Sequence, residues 1–219
     1  MKIGFVGAGN IGQRLAHLGN TAGYNVCISN SRGPDSLREV ANQLGVQAVS
    51  VEEAVVSSDL VVLTVPFSRL FDIDPEPFPG RLVLDTNNYY PTRDGRFPEL
   101  DEHVTTTSEL VQAHLRGAIV VKAFNAILAA DLVPPFGLPG GRRALPVAAD
   151  DREVLAPVTE LHARVGFDMV WAGDLAESWR FERAKPAYCI PLDHDGLLVA
   201  LGAAERDVEL PHNSWKRDD

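Results

Sequence analysis

The sequence predicts an α/β protein with a doubly wound, mostly parallel sheet and a small C-terminal helical cap. Short apolar runs alternate with longer segments of helical periodicity from residue 2 to residue 171, which is the pattern of parallel strands joined by crossover helices. A glycine-rich turn directly follows the first apolar run. From residue 173 onward the alternation stops, and two helical stretches remain. These three observations define the predicted fold.

Eight apolar runs supply the predicted strands. The central runs, such as Asp59–Val65 and Ala118–Phe124, are nearly continuous, which is typical of strands buried on both faces. The eight predicted strands cover residues 2–6, 25–29, 46–49, 59–65, 81–86, 118–124, 143–149 and 167–171.

Helical periodicity fills the intervals between these strands. The clearest helix covers residues 10–22, and a helix is also predicted from Ala126 to Leu132 after the sixth strand. Further helices are predicted at 35–44, 51–57, 108–115 and 151–165. Beyond residue 172 the two predicted cap helices are Leu175–Lys185 and Gly196–Arg206. We therefore place a domain boundary at residue 172.

Charge and composition exclude several classes of protein. The 219 residues include 30 acidic and 20 basic side chains, a formal net charge of −10, which disfavours binding to nucleic acids or anionic membranes. The two cysteines, Cys27 and Cys189, lie far apart, and the six histidines lack metal-ligand spacing. No apolar stretch approaches the roughly 18 residues of a membrane span. We expect a cytoplasmic protein with no metal, nucleic acid or membrane partner.

A glycine motif joins the first strand to the first long helix, and it reads Gly7-Ala8-Gly9-Asn10-Ile11-Gly12. The spacing G-x-G-x-x-G marks Rossmann-like dinucleotide sites when a strand precedes it and a helix follows it. Gly7 would make the tight turn, Gly9 would let the backbone approach a pyrophosphate, and Gly12 would let helix and strand pack closely. The helix N-terminus adds unpaired N–H groups. We predict a dinucleotide site; the alternative is a glycine-rich turn without a ligand.

The end of the second strand predicts which dinucleotide binds. A site that prefers NAD places an acidic residue there for the ribose 2′-hydroxyl, but this chain has Asn30-Ser31-Arg32. A 2′-phosphate can accept a hydrogen bond from Ser31 and a charge-assisted one from Arg32. We predict NADP; the alternative is a solvated turn with a surface arginine.

Two further strand ends carry candidate cofactor contacts, because ligands of such sheets lie outside the carboxyl ends of the strands. Val65-Pro66-Phe67 ends the fourth strand, and Phe67 either faces the cofactor or belongs to the core. Asn87 follows the fifth strand and offers an amide to cofactor or substrate, whereas Asp85 caps the turn.

Lys122 and Asn125 flank the end of the sixth strand, which is otherwise apolar. A buried lysine is rare without a partner. If Lys122 reaches the cleft, it would neutralise a phosphate or carboxylate, and Asn125 would hold the nicotinamide amide or the second substrate. We predict these two as the catalytic residues. The alternative is that Lys122 extends to solvent and Asn125 caps the helix at 126–132.

The chain resembles the coenzyme F420-dependent NADP oxidoreductases and their wider group of dinucleotide-binding reductases. The resemblance rests on residues 3–12, Ser31-Arg32, Asp85-Thr86-Asn87 and Val121-Lys122-Ala123-Phe124-Asn125, and it covers residues 1–172. The Lys-Ala-Phe-Asn segment is also similar to that of the NADPH-binding domain of STEAP metalloreductases, which pass electrons to a flavin. The resemblance implies hydride transfer between NADP and a deazaflavin, in a cleft between a Rossmann domain and a small helical part.

We accordingly predict an NADP-binding domain at 1–172 and a cap at 173–219 that lies in the substrate cleft or in a homodimer interface. The predicted activity is hydride transfer between the nicotinamide of NADP and a small-molecule substrate or second redox cofactor, F420 or a flavin. An imine or carbonyl acceptor, as in pyrroline-carboxylate or hydroxyacid reductases, needs a proton donor, for which Lys122 and Tyr188 are candidates. A non-catalytic protein that senses NADP is a third hypothesis.

Overall fold

The computed structural model describes residues 1–134, 137–138, 141–211 and 213–215, and in it strands alternate with helices. The strands are β1 (Lys2–Val6), β2 (Asn25–Ser29), β3 (Gln47–Ala48), β4 (Leu60–Leu63), β5 (Leu82–Asp85), β6 (Ile119–Lys122), β7 (Gly137–Leu138), β8 (Gly141–Arg142), β9 (Ala144–Ala148) and β10 (Asp168–Gly173). The α-helices are α1 (Asn10–Thr21), α2 (Arg38–Leu44), α3 (Val51–Val56), α4 (Pro91–Asp94), α5 (Pro98–Asp101), α6 (Thr107–His114), α7 (Ala156–Val165) and α8 (His194–Gly202). Short 3₁₀ helices cover Pro34–Leu37, Phe67–Asp72, Ala129–Asp131, Arg152–Leu155 and Leu175–Phe181.

Eight strands form one sheet in the order β10-β9-β6-β5-β4-β1-β2-β3. The strands β1 to β6 are mutually parallel, β9 is antiparallel to β6, and β10 is parallel to β9. All eight predicted strands belong to this sheet, and a separate ribbon pairs β7 with β8. The predicted α/β class with a doubly wound, mostly parallel sheet is confirmed.

Alternate residues of the central strands face two separate apolar cores. In β4, Leu60 and Val62 belong to one core, whereas Val61 and Leu63 belong to the other. The first core includes side chains of α1, α2 and α7, and the second includes side chains of α3 and α6. Because helices cover both faces of the sheet, β4 is apolar throughout, and β5 and β6 are polar only at their last residues, Asp85 and Lys122.

The strand order reverses at β1, which lies between β2 and β4. From β1 the chain winds outward to β3, returns to β4 beside β1, and winds outward again to β6. The loops that leave the two sides of such a switch point diverge and open a crevice at the carboxyl edge of the sheet. Since neighbouring strands are about 4.8 Å apart, the ends of β2 and β6 are separated by about 20 Å along this edge.

The helix predicted at 126–132 is wrong, because only Ala129–Asp131 forms a short 3₁₀ turn. Ala126 packs in a core with the C-terminal segment, whereas its neighbour Ile127 packs in the core shared by the sheet and α1. The backbone bends at residues 126 and 127 and does not continue as a helix. This tertiary packing overrides the helical spacing of the apolar residues.

Among its described residues, the C-terminal segment contains one 3₁₀ helix and one α-helix. The helix predicted at Leu175–Lys185 is shorter than expected: it ends at Phe181 as a 3₁₀ helix, and the backbone is extended at Glu182. The helix α8 begins after Asp193, whose Oδ1 accepts a hydrogen bond from the Gly196 N–H at 2.9 Å. The cap is therefore present, and the domain boundary at residue 172 stays a prediction. None of the helices in the described ranges is long and apolar enough to cross a membrane.

Candidate functional site

The glycine loop after β1 is built against Thr64, the residue that follows β4. Gly7 has a φ of +106°, which favours glycine, and a Cβ there would lie 2.5 Å from the Thr64 carbonyl oxygen. A Cβ on Gly12 would lie 2.6 Å from both the Gly7 carbonyl oxygen and Thr64 Oγ1. Thr64 Oγ1 donates to the Gly7 oxygen at 2.8 Å, and the Gly7 N–H donates to the Ser29 oxygen at 3.0 Å. Packing within the protein thus requires glycine at positions 7 and 12.

Gly9 differs from these two glycines because nothing in the fold requires it. A Cβ on Gly9 would meet no atom within 4 Å, and its φ of −77° and ψ of −173° suit any residue. Gly9 is the N-cap residue of α1, and no side chain caps this end of the helix. The first N–H groups of a helix have no acceptor within the helix itself. The open space beside them fits the pyrophosphate of a dinucleotide.

A cavity of about 1140 Å³ lies at this part of the sheet edge. It brings together three groups of predicted cofactor residues: Gly7, Ala8 and Gly9; Asn30, Ser31 and Arg32; and Val65 and Pro66. The remaining residues of the glycine motif, Asn10, Ile11 and Gly12, form the first turn of α1 and do not line this cavity. Their contact with a cofactor stays a prediction.

The loop after β2 presents Arg32 to this cavity. Asn30 Oδ1 accepts a hydrogen bond from the Arg32 N–H at 2.9 Å, and Asn30 Nδ2 donates to Ser36 Oγ at 2.9 Å, so Asn30 shapes the turn. The side chains of Ser31 and Arg32 are exposed. In the part of the chain that the structure describes, the Arg32 guanidinium makes no ion pair, whereas Arg69, another lining residue, pairs with an aspartate at 3.0 Å. Arg32 is therefore available to an anion.

Phe67 is a core residue, and the hypothesis that it faces the cofactor is wrong. Its side chain is 0% exposed. The ring makes edge contacts with Phe71, Tyr89 and Phe97 at centroid distances of 5.1–6.2 Å. Phe67 belongs to the core on the α3 and α6 face of the sheet, and Tyr89 and Phe97 pack against this core.

Lys122 does not reach the cleft, contrary to the prediction, and it does not extend to solvent either. Its side chain is 0% exposed. The ammonium group donates to Asp85 Oδ2 at 3.2 Å, to the Asn87 carbonyl oxygen at 2.5 Å and to Thr107 Oγ1 at 2.6 Å. A buried charge is tolerated only with such partners. Lys122 has no hydrogen left for a ligand while these bonds persist.

Asp85 and Asn87 form the turn after β5. Asp85 Oδ1 accepts the Asn87 N–H at 2.9 Å, as predicted for a turn cap, and Asp85 Oδ2 accepts from Ser108 Oγ at 2.6 Å. The Asn87 side chain is buried, at 3% exposure. Within the described residues neither its Nδ2 nor its Oδ1 has a hydrogen-bond partner.

Asn125 also holds a turn, and the alternative that it caps a helix is wrong. Its Nδ2 donates to Asn88 Oδ1 at 3.1 Å and to the Phe181 carbonyl oxygen at 3.0 Å. Its own carbonyl oxygen accepts from Asn88 Nδ2 at 2.9 Å. Asn125 therefore connects the loop after β5 to the C-terminal segment, while its Oδ1 is buried without a partner among the described residues.

Tyr188 is buried at 3% exposure. Burial, together with the neighbouring Cys189 and Tyr90, raises the pKa of its phenol. The hydroxyl groups of Tyr188 and Tyr90 share a hydrogen bond. Over the described ranges, no group of three or more His, Cys, Asp or Glu side chains is arranged to bind a metal ion.

Comparison with known proteins agrees with this arrangement. The family described as NADP oxidoreductase, coenzyme F420-dependent, matches residues 2–89, which contain the glycine loop, Asn30–Arg32 and Asn87. The crystal structure of the hypothetical protein SMa0349 from Sinorhizobium meliloti is 31% identical with a TM-score of 0.77, over 88% of this chain and 94% of that chain. The chain belongs to the coenzyme F420-dependent NADP oxidoreductase family. It is thus a Rossmann protein of the oxidoreductase type.

Two more similarities accompany this family membership. A protein from Arthrobacter sp. FB24, described as an F420-dependent NADP-reductase, shares the fold at 24% identity and a TM-score of 0.70, over 81% of this chain and 87% of that chain. The curated protein YjhV of Escherichia coli (strain K12) is 35% identical over 66 residues. That match spans 30% of this chain and about half, 48%, of YjhV.

Sequence reasoning missed three residues that support the site of this family member: Thr64, Thr107 and Glu182. Thr107 Oγ1 donates to Glu182 Oε1 at 2.5 Å while it accepts from Lys122. The sequence does contain one signal for the buried ion pair: two successive predicted strands end in Leu-Val-Leu-Asp and Ile-Val-Val-Lys. In the sheet these two strands are adjacent, and Asp85 pairs in register with Lys122. No local pattern marks Glu182, which lies far along the chain.

Proposed function

We propose that the protein is an NADP(H)-dependent oxidoreductase that exchanges a hydride with a second redox partner, coenzyme F420 or a flavin. The single observation that carries the proposal is the open space at Gly9, beside the uncapped N-terminus of α1. Glycines 7 and 12 are explained by packing against Thr64, but packing leaves Gly9 unexplained. A ligand that needs close approach to the backbone explains it, and a pyrophosphate is such a ligand.

The choice of NADP rests on the loop after β2. Arg32 is exposed at the cavity with its charge unpaired among the described residues, and the Asn30 side chain fixes the turn that carries it. No acidic residue stands at Asn30-Ser31-Arg32 to bind a 2′-hydroxyl or to repel a 2′-phosphate. A guanidinium and a hydroxyl together suit the 2′-phosphate.

The choice of acceptor rests on the two residues that could have supplied a proton. When bound, the nicotinamide of NADPH supplies a hydride. An imine or carbonyl acceptor then needs a proton from the protein, but the Lys122 ammonium is fully engaged and the Tyr188 hydroxyl is buried against Tyr90. A deazaflavin or flavin can take its proton from solvent, so this site favours it. The chain's contribution is then to hold the two rings together in the geometry that hydride transfer needs.

Cofactor titration tests the first half of this proposal. We expect the wild type to bind NADPH at least about tenfold more tightly than NADH, a difference of about 1.4 kcal/mol. Arg32→Ala should remove most of that preference. Arg38→Ala is the matched control, because Arg38 is also exposed but pairs with Asp35 at 2.7 Å. Equal affinity of the wild type for both dinucleotides would refute the assignment of NADP.

An acceptor panel tests the second half. NADPH absorbance is followed with coenzyme F420, FMN, FAD and riboflavin in turn, and then with cyclic imines and 2-oxoacids. Turnover with a deazaflavin or flavin supports the proposal. Turnover with imines or carbonyls alone would favour the proton-donor mechanism, and tight binding without turnover of any acceptor would favour a protein that senses NADP. The predicted homodimer is checked separately by light scattering.

A further inference from the structure

Lys122 connects the turn after β5 to the start of α6 and, through it, to the C-terminal segment. Its acceptors are Asp85 at the end of β5, Asn87 in the loop beyond it, and Thr107 at the start of α6. Thr107 also bonds Glu182 of the C-terminal segment through both its N–H, at 3.0 Å, and its hydroxyl, at 2.5 Å. The Glu182 carboxylate lies 4.0 Å from the ammonium group. One buried charge therefore fixes the sheet edge and the C-terminal segment relative to each other.

The residue that this network fixes most tightly is Asn87. Its N–H donates to Asp85 Oδ1 at 2.9 Å, and its carbonyl oxygen accepts from Lys122 at 2.5 Å. The main chain of Asn87 is thus held on both sides. Its side-chain amide is buried, yet both of its polar atoms are without a partner in the described part of the chain.

An unpartnered buried amide costs free energy, so its presence at a strand end points to a ligand group that completes it. Among the described residues, the nearby Asn125 Oδ1 is also buried without a hydrogen-bond partner, whereas Asn125 Nδ2 donates two hydrogen bonds. A carboxamide carries both an N–H₂ donor and a carbonyl acceptor, and this combination complements the Oδ1 and Nδ2 of Asn87.

The position of Asn87 suits the nicotinamide half of a dinucleotide. Arg32 marks the adenosine half on the β2 side of the glycine loop. The other half must then extend in the opposite direction, across the ends of β4, β5 and β6, where Asn87 and Asn125 lie.

We infer that Asn87 binds the carboxamide of the nicotinamide, and that Lys122 is the positioning residue that holds Asn87 for this contact. The inference rests on the proposed binding of NADP and deepens it. Lys122 itself touches no ligand in this arrangement. Its buried ammonium sets the main chain of Asn87 and ties it, through Thr107, to Glu182.

Two ligands separate this role from a merely structural one. NADPH carries both halves of the cofactor, whereas 2′,5′-ADP carries the 2′-phosphate half and lacks the nicotinamide. We expect Asn87→Ala and Lys122→Met to weaken NADPH binding about tenfold and to leave the affinity for 2′,5′-ADP within about twofold. Thr107→Val removes one acceptor of Lys122 and should give a smaller, equally selective loss. Asn42→Ala, at an exposed asparagine of α2, should change neither affinity.

A modified cofactor tests the carboxamide contact directly. The acetylpyridine analogue of NADPH keeps the carbonyl group attached to the ring but replaces the amino group of the carboxamide with a methyl group. We expect the wild type to bind this analogue about fivefold more weakly than NADPH, and Asn87→Ala to bind the two almost equally. Such coupling between one side chain and one ligand group cannot result from a general loss of structure.

The outcomes distinguish the two proposals. A wild type that binds neither NADPH nor 2′,5′-ADP refutes the proposed function and this inference with it. A wild type that binds both, with folded variants that lose both equally or lose neither, overturns the inference alone. If Lys122→Met does not fold, the Asn87→Ala and Thr107→Val variants test the inference in its place. A folded Asn87→Ala protein that still discriminates between NADPH and its acetylpyridine analogue also overturns the inference.

Discussion

The two sides of the sheet edge offer their polar groups in opposite ways. On the β2 side lies the open half, defined by Gly7–Gly9 and Asn30–Arg32. Its backbone groups and exposed side chains line a cavity of about 1140 Å³. On the β5 and β6 side, the closed half, defined by Asp85, Asn87, Lys122 and Asn125, is buried throughout, and its charges are paired internally.

The two halves also differ in the contacts that hold their residues in place. In the open half, no atom lies within 4 Å of a Cβ placed on Gly9, and the Arg32 side chain is exposed. The closed half depends on Thr107, Phe181 and Glu182, which reach it only after the chain has folded. Substitution of Gly9 or Arg32 should therefore affect binding alone, and substitutions in the closed half should affect stability as well.

The largest expected effect is on stability, in the closed half. Lys122→Met leaves Asp85 as a buried carboxylate without its cation, which should lower the free energy of unfolding by about 3–5 kcal/mol. The matched control is Arg38→Met, which breaks the exposed pair with Asp35 and should cost at most about 1 kcal/mol. Urea denaturation of both variants measures the contrast. Equal losses would mean that burial of the Lys122 pair is unimportant.

The next effect concerns His162, which stacks on Phe124 beneath the closed half at a centroid distance of 4.1 Å. Burial lowers the pKa of His162 to about 4, whereas an unfolded histidine has a pKa of about 6.5. Above that value neither state binds the proton. As the pH falls from about 6.5 to about 4, the unfolded chain binds it first, and stability should decrease by up to about 3 kcal/mol.

The measurement is urea unfolding of the wild type and His162→Phe at several pH values across that range. The phenyl ring keeps a stack on Phe124 and removes the titration. The stability difference between the two proteins should therefore shift in favour of His162→Phe as the pH falls. A difference that does not change with pH would show that His162 is not the group responsible.

Substitution of Gly9, in the open half, should change binding but not stability. Gly9→Val should weaken NADPH binding at least about a hundredfold, or about 2.7 kcal/mol, because the branched side chain occupies the space beside the helix N-terminus. Its melting temperature should stay close to that of the wild type. Gly12→Ala is the contrasting variant and should melt lower, since its Cβ would meet Gly7 and Thr64. A folded Gly9→Val protein that retains affinity would contradict this role.

The smallest effect is the salt dependence of cofactor preference. Arg32 is exposed, so its attraction to a 2′-phosphate should be screened by added salt. The ratio of NADPH to NADH affinity should fall a few-fold between low and high ionic strength in the wild type and stay constant in Arg32→Ala. Calorimetric titration at two salt concentrations measures this ratio, and a ratio independent of salt would argue against an exposed ion pair.

The open half and the sheet could be predicted because their signals are local. Continuous apolar runs identified every strand of the sheet, and the strand-to-helix context gave the glycine motif its meaning. The predicted residues Gly7–Gly9, Asn30–Arg32, Val65 and Pro66 meet around one cavity. Phe67 was ambiguous from sequence, because an aromatic residue at a strand end packs in the core as readily as it contacts a ligand.

The closed half could not be predicted to the same extent, because its partners come from distant segments. Lys122 stood out as a lysine on an apolar strand, but the sequence did not show that Asp85 and Thr107 would neutralise and surround it. The helix predicted at 126–132 failed for a related reason. Its apolar spacing suited a helix, while Ala126 and Ile127 pack into two different cores at a bend in the chain.

The contacts of the glycine loop with Ser29 and Thr64 also bear on the kinetics of binding. The Gly7 N–H is tied to the end of β2 and its carbonyl oxygen to the residue after β4. A loop already fixed at both groups loses little conformational entropy when a ligand arrives. Association should then proceed at the rate of diffusional encounter, without a slow loop-closing phase, and differences in affinity among dinucleotides should appear in their rates of departure.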